Sequence, residues 1–152
     1  MSLAVDLAAK RISSAREEGF RPYPYDDATG LRVHAPKGNI TEGYGFNCDA
    51  PRPASFWFAL LQQEVAQLDA DLSQFSWYSG ANDVRRSVFL DIAFNQGLVG
   101  LMHYPSMIHY ASIGDWTNSA AECTVKPDSP PGVIARYKQL SDLLLCGVEP
   151  NA

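Results

Sequence analysis

Residues 83–97 have the sequence DVRRSVFLDIAFNQG, and this stretch decides the fold of the chain. Its apolar residues cover nearly the whole circumference of a helix, which is typical of a helix buried on all sides. They are Val84, Val88, Phe89, Leu90, Ile92, Ala93 and Phe94. Asn82 stands directly before the stretch and is a good helix N-cap residue. The pattern therefore predicts a buried central helix in a helical lobe.

Helical periodicity continues on both sides of this stretch. Apolar residues at three-to-four spacing predict a helix over residues 2–18, ended by Gly19, and a long helix over residues 54–75. Shorter helical pieces are predicted near residues 98–112, 115–125 and 132–146. The helical lobe is thus expected to contain residues 82–147 together with the N-terminal helix.

Residues 20–47 have a different pattern, with short alternating segments separated by glycine, proline and asparagine. This pattern is typical of a small antiparallel sheet. We expect an α+β architecture with a β-lobe over residues 19–52, joined to the helical lobe by the long helix. The two lobes would form a single domain over residues 1–152, with a cleft between them.

Composition limits the classes of function. The chain has 12 basic and 17 acidic residues, a net charge of -5, and no basic cluster longer than the pair Arg85 and Arg86, so we expect no nucleic-acid binding. No apolar run approaches the about 20 residues that span a bilayer, and we expect neither a signal peptide nor a membrane anchor. The wide spacing of Cys48, Cys123 and Cys146 predicts reduced thiols and no disulfide.

Two adjacent pairs of acids flank the start of the expected sheet, and the first pair is Glu17 and Glu18. On a helix that reaches residue 18, Glu17 lies on the solvent face and Glu18 on the packed face. Burial and the helix C-terminal carbonyls would then favour a protonated Glu18, the state that a general acid requires. The alternative is an ordinary solvated helix end.

The second pair is Asp26 and Asp27. Asp27 begins the sequence DATG, which fits a type I turn, so its carboxyl has a structural explanation as a turn-bonding group. Strand alternation also places Asp27 on the same face as Tyr23 and Tyr25, and Asp26 on the opposite face. Glu18 and Asp27 would then face one cleft.

Three separated motifs occur in one order along the chain. The first, EGFRPYPYDDATG followed by ITEGYG, has eight residues between Glu18 and Asp27 and contains Thr41 before the final Gly-x-Gly. The others are VRRSVFLDIAFNQG and the C-terminal pair GDWTNSAAEC and RYKQL. Together they resemble the phage lysozymes, the endolysins of glycoside hydrolase family 24, and the resemblance covers roughly residues 10–147.

The resemblance implies hydrolysis of the β-1,4 bond between N-acetylmuramic acid and N-acetylglucosamine in peptidoglycan. Glu18 would act as the general acid on the leaving oxygen, while Asp27 and Thr41 would hold the attacking water on the opposite sugar face. Two carboxyls with room for a water between them correspond to inversion of the anomeric centre. We expect neither a metal nor a cofactor.

Four further residues are expected to bind or support the substrate. Arg136 falls where the family has an arginine that pairs with the acid glutamate, and Asn95 falls where it has a cleft amide. A surface ion pair and a helix C-cap are the structural alternatives for these two. Arg21 and Arg32 would give the cleft a basic rim.

The chain departs from the family pattern in three places. Between Asp27 and Thr41 there are 13 residues, so the hairpin from Gly30 to Thr41 is longer than in compact family members. Glu42 follows Thr41, where the family usually has an apolar residue. The loop VKPDSPPG lacks the tryptophan that is common there.

Peptidoglycan is the expected partner of a protein that acts as a monomer. As an endolysin it would stay in the host cytoplasm until a holin opens the inner membrane, and would then reach the periplasm and cell wall. A virion-associated lysozyme would have the same sequence features.

Other classes of function remain open. A lytic transglycosylase would use one acid and produce an anhydro-sugar. A zinc amidase would require ligands such as His34, His109 and Cys123, which have no short motif spacing. A non-catalytic wall-binding domain would retain the core without turnover.

Overall fold

The computed structural model describes residues 2–14, 20–26, 29, 31–33, 41–42, 46–47 and 50–149. Most of them are helical, in α1 (Leu3–Ile12), α2 (Ala54–Leu72), α3 (Ser76–Ser79), α4 (Asp83–Met102), α5 (Pro105–Ser112), α6 (Trp116–Glu122) and α7 (Pro131–Cys146). The strands are β1 (Thr41–Glu42) and β2 (Phe46–Asn47). None of the described helices is long and apolar enough to cross a membrane.

The expected α+β architecture with an antiparallel β-lobe is wrong, because the structure is mostly helical. Within the described residues, β-pairing is confined to the two-residue strands β1 and β2, which are antiparallel, and to one isolated bridge between Tyr25 and Arg32. The physical reason lies partly in Pro22 and Pro24, which have no N–H group to donate to a strand ladder. In the described part of residues 20–47, alternating sequence therefore accompanies little strand pairing.

The buried central helix is confirmed. The side chain of Asn82 caps α4 by accepting a hydrogen bond from the Arg85 N–H, with an N···O distance of 3.0 Å. Five predicted core residues of α4 are at most 2% exposed, namely Val88, Phe89, Leu90, Ile92 and Ala93. Helices α1, α2, α3 and α7 all pack against α4. The helical body is thus organised around this one element.

Gly97 kinks α4 near its C-terminal end. Its φ of 74° and ψ of 165° are non-helical, and the chain resumes a helix as far as Met102. A positive φ favours glycine because it has no Cβ. The predicted helical piece near residues 98–112 therefore begins as the second segment of α4 and continues, after Tyr104, as α5.

Helix α1 is shorter than the predicted helix over residues 2–18. It ends at Ile12, with Ser13 at the C-cap, and Ser13 Oγ donates to the Lys10 carbonyl at 3.2 Å. Serine hydroxyls compete for backbone hydrogen bonds in this way, which favours helix ends. Residues 15–19 lie outside the described residues. A helix that ends at Ile12 cannot set the phase of Glu17 and Glu18, so that basis for separating them is lost.

Helix α2 confirms the predicted long helix and has two different halves. In its C-terminal half, Val65 and Leu72 are fully buried against the helical body. In its N-terminal half, Phe56, Trp57 and Leu60 are 38%, 41% and 39% exposed. The long helix therefore begins outside the helical core and ends within it.

Asp69 joins three helices to the start of a fourth. Its Oδ1 accepts hydrogen bonds from Tyr78 OH and Arg86 Nη2, both at 2.6 Å, and its Oδ2 accepts one from Ser2 Oγ at 2.9 Å. These donors come from α3, from α4 and from the N-cap of α1. Asp69 is thus a part-buried junction between these elements.

The two described cysteines are free thiols, as predicted. Cys123 is buried, and burial raises the pKa of its thiol to about 12. Cys146 ends α7 and is exposed. Cys48 lies outside the described residues.

Candidate functional site

The three predicted catalytic residues are described to different extents. Glu18 and Asp27 lie outside the described residues. Thr41 begins β1, where its backbone pairs with Asn47 in the antiparallel register. Glu42, the unusual residue after it, pairs with Phe46. The long Gly30–Thr41 hairpin lies largely outside the described residues.

Asp26 has the turn-bonding role considered for Asp27. Its Oδ1 accepts a hydrogen bond from the Thr29 N–H at 3.2 Å, and its own N–H donates to the Leu31 carbonyl at 2.9 Å. This is a side-chain bond that commonly stabilises turns. The turn therefore has its carboxylate acceptor in Asp26, the acid that strand alternation placed opposite Asp27.

Arg21 and Arg32 each stack on a tyrosine of the segment between α1 and α2. The Arg32 guanidinium lies 3.6 Å from the centre of the Tyr23 ring, and that of Arg21 lies 5.0 Å from the centre of the Tyr25 ring. Tyr25 and Arg32 also form the isolated antiparallel bridge. Both arginines are exposed and stack on tyrosines of the same segment.

The structure brings Arg136 and Asn95 together, although 41 positions separate them in the chain. Arg136 Nη1 donates to Asn95 Oδ1 at 2.9 Å. Arg136 Nε also lies 3.3 Å from Asp91 Oδ1, and the Arg136 side chain is 14% exposed. Neither a simple surface ion pair nor a C-cap describes this contact. The two residues form one polar unit across α4 and α7.

Asp91 is the residue of this unit that sequence reasoning missed. It is 0% exposed, and its Oδ2 lies 3.5 Å from Arg11 Nη1 while its Oδ1 faces Arg136. Burial raises the pKa of the Asp91 carboxyl, and the two guanidiniums oppose that rise. An acid flanked by Leu90 and Ile92 in a stretch predicted to be buried all round was the available signal, because buried charges require partners.

Arg11 completes the cluster from the side of α1. Its Nη2 donates to Ser87 Oγ at 2.9 Å and to Glu149 Oε1 at 3.0 Å. Two guanidiniums therefore face two carboxylates, Asp91 and Glu149.

A second polar group lies next to Arg136 and Asn95 along the same two helices. Gln96 Nε2 donates to Tyr104 OH at 3.0 Å and also to Tyr137 OH. The two tyrosine rings stack with centres 6.2 Å apart. Burial raises the pKa of Tyr137, so its hydroxyl stays protonated at neutral pH. These contacts fix α7 against α4 just before the kink at Gly97.

A cavity of about 670 Å³ lies at the end of α1 and the exposed start of α2. Mostly apolar side chains line it, among them Ile12, Phe20, Trp57, Phe58, Leu61 and Phe94. Its polar lining includes Ser13 and Glu64. Ser13 and Phe20 stand on either side of residues 14–19 in the chain, and Phe94 precedes Asn95. The cavity is thus lined by the end of α1, the start of α2 and one residue of α4.

The residues considered as zinc ligands are not gathered in the described structure. His109 is exposed on α5, whereas Cys123 is buried after α6. His34 lies outside the described residues. Among the residues with described positions, no three His, Cys, Asp or Glu side chains form a group that could hold a metal.

Comparison with known proteins finds no family model, no curated protein and no solved structure that matches this chain.

Proposed function

We propose that this protein is a lysozyme that hydrolyses the β-1,4 bond between N-acetylmuramic acid and N-acetylglucosamine in peptidoglycan. The three ordered motifs of the sequence support it. The single observation that carries it is the Arg136–Asn95 hydrogen bond of 2.9 Å, because these residues were selected from separate motifs as parts of one site.

In the proposed reaction, Glu18 donates its proton to the glycosidic oxygen as the C–O bond to the N-acetylmuramic acid anomeric carbon breaks. Water attacks the same carbon from the opposite face and passes a proton to Asp27, while the Thr41 hydroxyl orients the water. Inverting enzymes of this type separate their carboxyls by about 6.5–9.5 Å, which leaves room for that water. Arg136 supplies positive charge from the helical body.

The cavity is the expected place for part of the glycan. Its volume of about 670 Å³ is in the usual range for ligand sites, and such sites combine apolar walls with a few polar groups. Trp57 and Phe20 offer ring faces to the C–H faces of sugars, and Ser13 offers a hydroxyl. Arg21 and Arg32 provide cations for the carboxylates of the wall.

The proposed biological role is lysis of a bacterial host. As an endolysin, the protein would act from the host cytoplasm after a holin opens the inner membrane. The alternative of a virion-associated lysozyme shares the same chemistry and differs in where the protein is carried.

The test compares Glu18→Gln with Glu17→Gln as a matched control, because the two changes are identical and adjacent. New reducing ends are counted on purified peptidoglycan, and circular dichroism checks folding. We expect Glu18→Gln to abolish turnover with the fold retained, since glutamine has no proton to donate as an acid, and Glu17→Gln to retain turnover. Equal turnover by both variants and wild type would remove Glu18 from the mechanism.

A further inference from the structure

Three helices meet at the carboxyl group of Asp91. Arg11 reaches it from α1 and Arg136 from α7, with N···O distances of 3.5 Å and 3.3 Å to different carboxyl oxygens. The carboxyl itself lies on α4 and is 0% exposed. Each guanidinium thus has its own oxygen of one buried anion.

Arg136 has a second anchor one helical turn further along α4. Its Nη1 donates to Asn95 Oδ1, and Asn95 Nδ2 donates in turn to the Asp91 carbonyl at 2.8 Å. A guanidinium is planar, so contacts at both Nε and Nη1 restrict its orientation as well as its position. Asp91 and Asn95 together therefore hold the plane of Arg136.

Asp91 faces the two arginines at different nitrogens, Nη1 of Arg11 and Nε of Arg136. Arg11 keeps Glu149 and Ser87 as further partners. For Arg136, Asp91 is the buried carboxylate that faces its Nε. A buried ion pair adds little stability compared with well-packed apolar residues, so its distinctive contribution is fixed geometry.

We propose that Asp91 is a positioning residue that holds the Arg136 guanidinium for the glycan-cleaving reaction. This inference rests on the proposed function. Asp91 touches neither the substrate nor the reacting atoms in this scheme, and it acts only through Arg136. Misplacing a group in a preorganised site lowers the rate even when the fold is intact.

The first test compares Asp91→Asn with Asp69→Asn. Both changes remove the charge of a carboxylate bound to an arginine on or against α4, so both reduce stability, but Asp69 binds Arg86 instead of Arg136. Measured where both variants are folded, we expect Asp91→Asn to lower kcat about 10- to 100-fold with little change in KM. Asp69→Asn should keep kcat near the wild-type value. Equal kcat for the two variants would overturn the inference.

The second test is a double-mutant cycle with Arg136→Met. If Asp91 acts through Arg136, Asp91→Asn causes no further loss of kcat once Arg136 is absent. A full further loss in the Arg136→Met background would contradict a positioning role. Should Asp91→Asn fail to fold, Asn95→Ala removes the other anchor at a more exposed position and is expected to lower kcat in the same manner.

A readout that needs no turnover separates this inference from the proposed function. The Arg136 Nε–H signal in nitrogen-15 NMR should be protected from solvent exchange in wild type and Asp69→Asn, and lose that protection in Asp91→Asn. A signal unchanged by Asp91→Asn would overturn the positioning of Arg136. If wild type cuts no glycan, the proposed function fails, and this signal still decides whether Asp91 holds Arg136.

Discussion

The helical body and the segment between α1 and α2 are held together by different means. In the body, α4 is surrounded by apolar contacts and by two carboxylate junctions, Asp69 and Asp91, that each join several helices. In the described parts of residues 20–47, pairing is limited to short strands, one bridge and guanidinium–tyrosine stacking. Long-range burial stabilises the helical body, whereas the contacts within the described part of residues 20–47 are mostly local.

This difference bears on how the two regions contribute to function. A rigid body can fix Arg136 and Asn95 through helices that cannot move independently. Local stability is highest where buried apolar contacts are many, as in the helical body. The predictions below compare substitutions in the two regions.

The largest loss of folding stability is expected for Phe89→Ala, in the helical body. Phe89 is 0% exposed, and its ring lies 5.0 Å from that of Trp77 in an edge-on arrangement. Loss of a buried phenylalanine side chain costs about 3–5 kcal/mol, because it removes apolar burial and leaves a cavity. Urea unfolding measures the change in the free energy of unfolding.

The control on the same helix is Val99→Ala, since Val99 is 73% exposed. Its expected cost is about 0.5 kcal/mol or less. If Phe89→Ala were no more destabilising than Val99→Ala, α4 would not be the centre of the body. Phe89→Leu serves as a milder core change should the alanine variant not fold.

A smaller loss of folding stability, one that depends on pH, is expected for Asp69→Asn. Burial raises the pKa of Asp69, but the hydrogen bonds from Tyr78, Arg86 and Ser2 together outweigh burial and lower the pKa. Loss of charge-assisted hydrogen bonds at one carboxylate costs about 2 kcal/mol at pH 7.

The sign of the pH dependence follows from the lowered pKa. Asp69 stabilises the folded state above its unfolded pKa of about 3.9, and this contribution is lost as the pH falls through the lower folded value. The difference in the free energy of unfolding between wild type and Asp69→Asn should therefore disappear below a pH of about 4. Urea unfolding at several pH values measures it, with Asp71→Asn as the control on the same helix. If the free energies of unfolding of wild type and Asp69→Asn differed more at acid pH than at neutral pH, the lowered pKa of Asp69 would be contradicted.

The smallest effect on stability is expected for Arg32→Ala in the segment between α1 and α2. An exposed guanidinium stacked on a tyrosine contributes about 0.5 kcal/mol. The KM for peptidoglycan should rise in contrast, because the cation is lost from the proposed rim. Thermal unfolding and initial rates measure the two effects. A stability loss as large as that of Asp69→Asn would remove the distinction between the two regions.

The sequence predicted the helical body well because its signals are long and local. The apolar residues of α2 and α4 repeat at helical spacing. Asn82 stands directly before α4, where an N-cap residue is expected. Helix α1 was predicted too long, since two serines end it at Ile12 against the continuing apolar pattern. The prediction of a β-lobe is wrong because strand pairing depends on distant partners, which alternation along one segment does not specify.

The candidate site was predicted in part, for reasons that differ between residues. Resemblance selected Arg136 and Asn95, and the structure brings them together. Asp91 was missed because its importance comes from arginines 80 and 45 positions away, which helical periodicity cannot reveal. Glu18 and Asp27 remain predictions from the motif order.

The measurement that tests the central claim most directly is the identity of the new ends that the wild-type protein produces in peptidoglycan. The digest is reduced with borohydride and the products are weighed by mass spectrometry. Hydrolysis as proposed predicts fragments that end in N-acetylmuramitol, formed by reduction of a free N-acetylmuramic acid end. Ends in N-acetylglucosaminitol, unreducible anhydro-sugar ends, or released peptides without new sugar ends would contradict it.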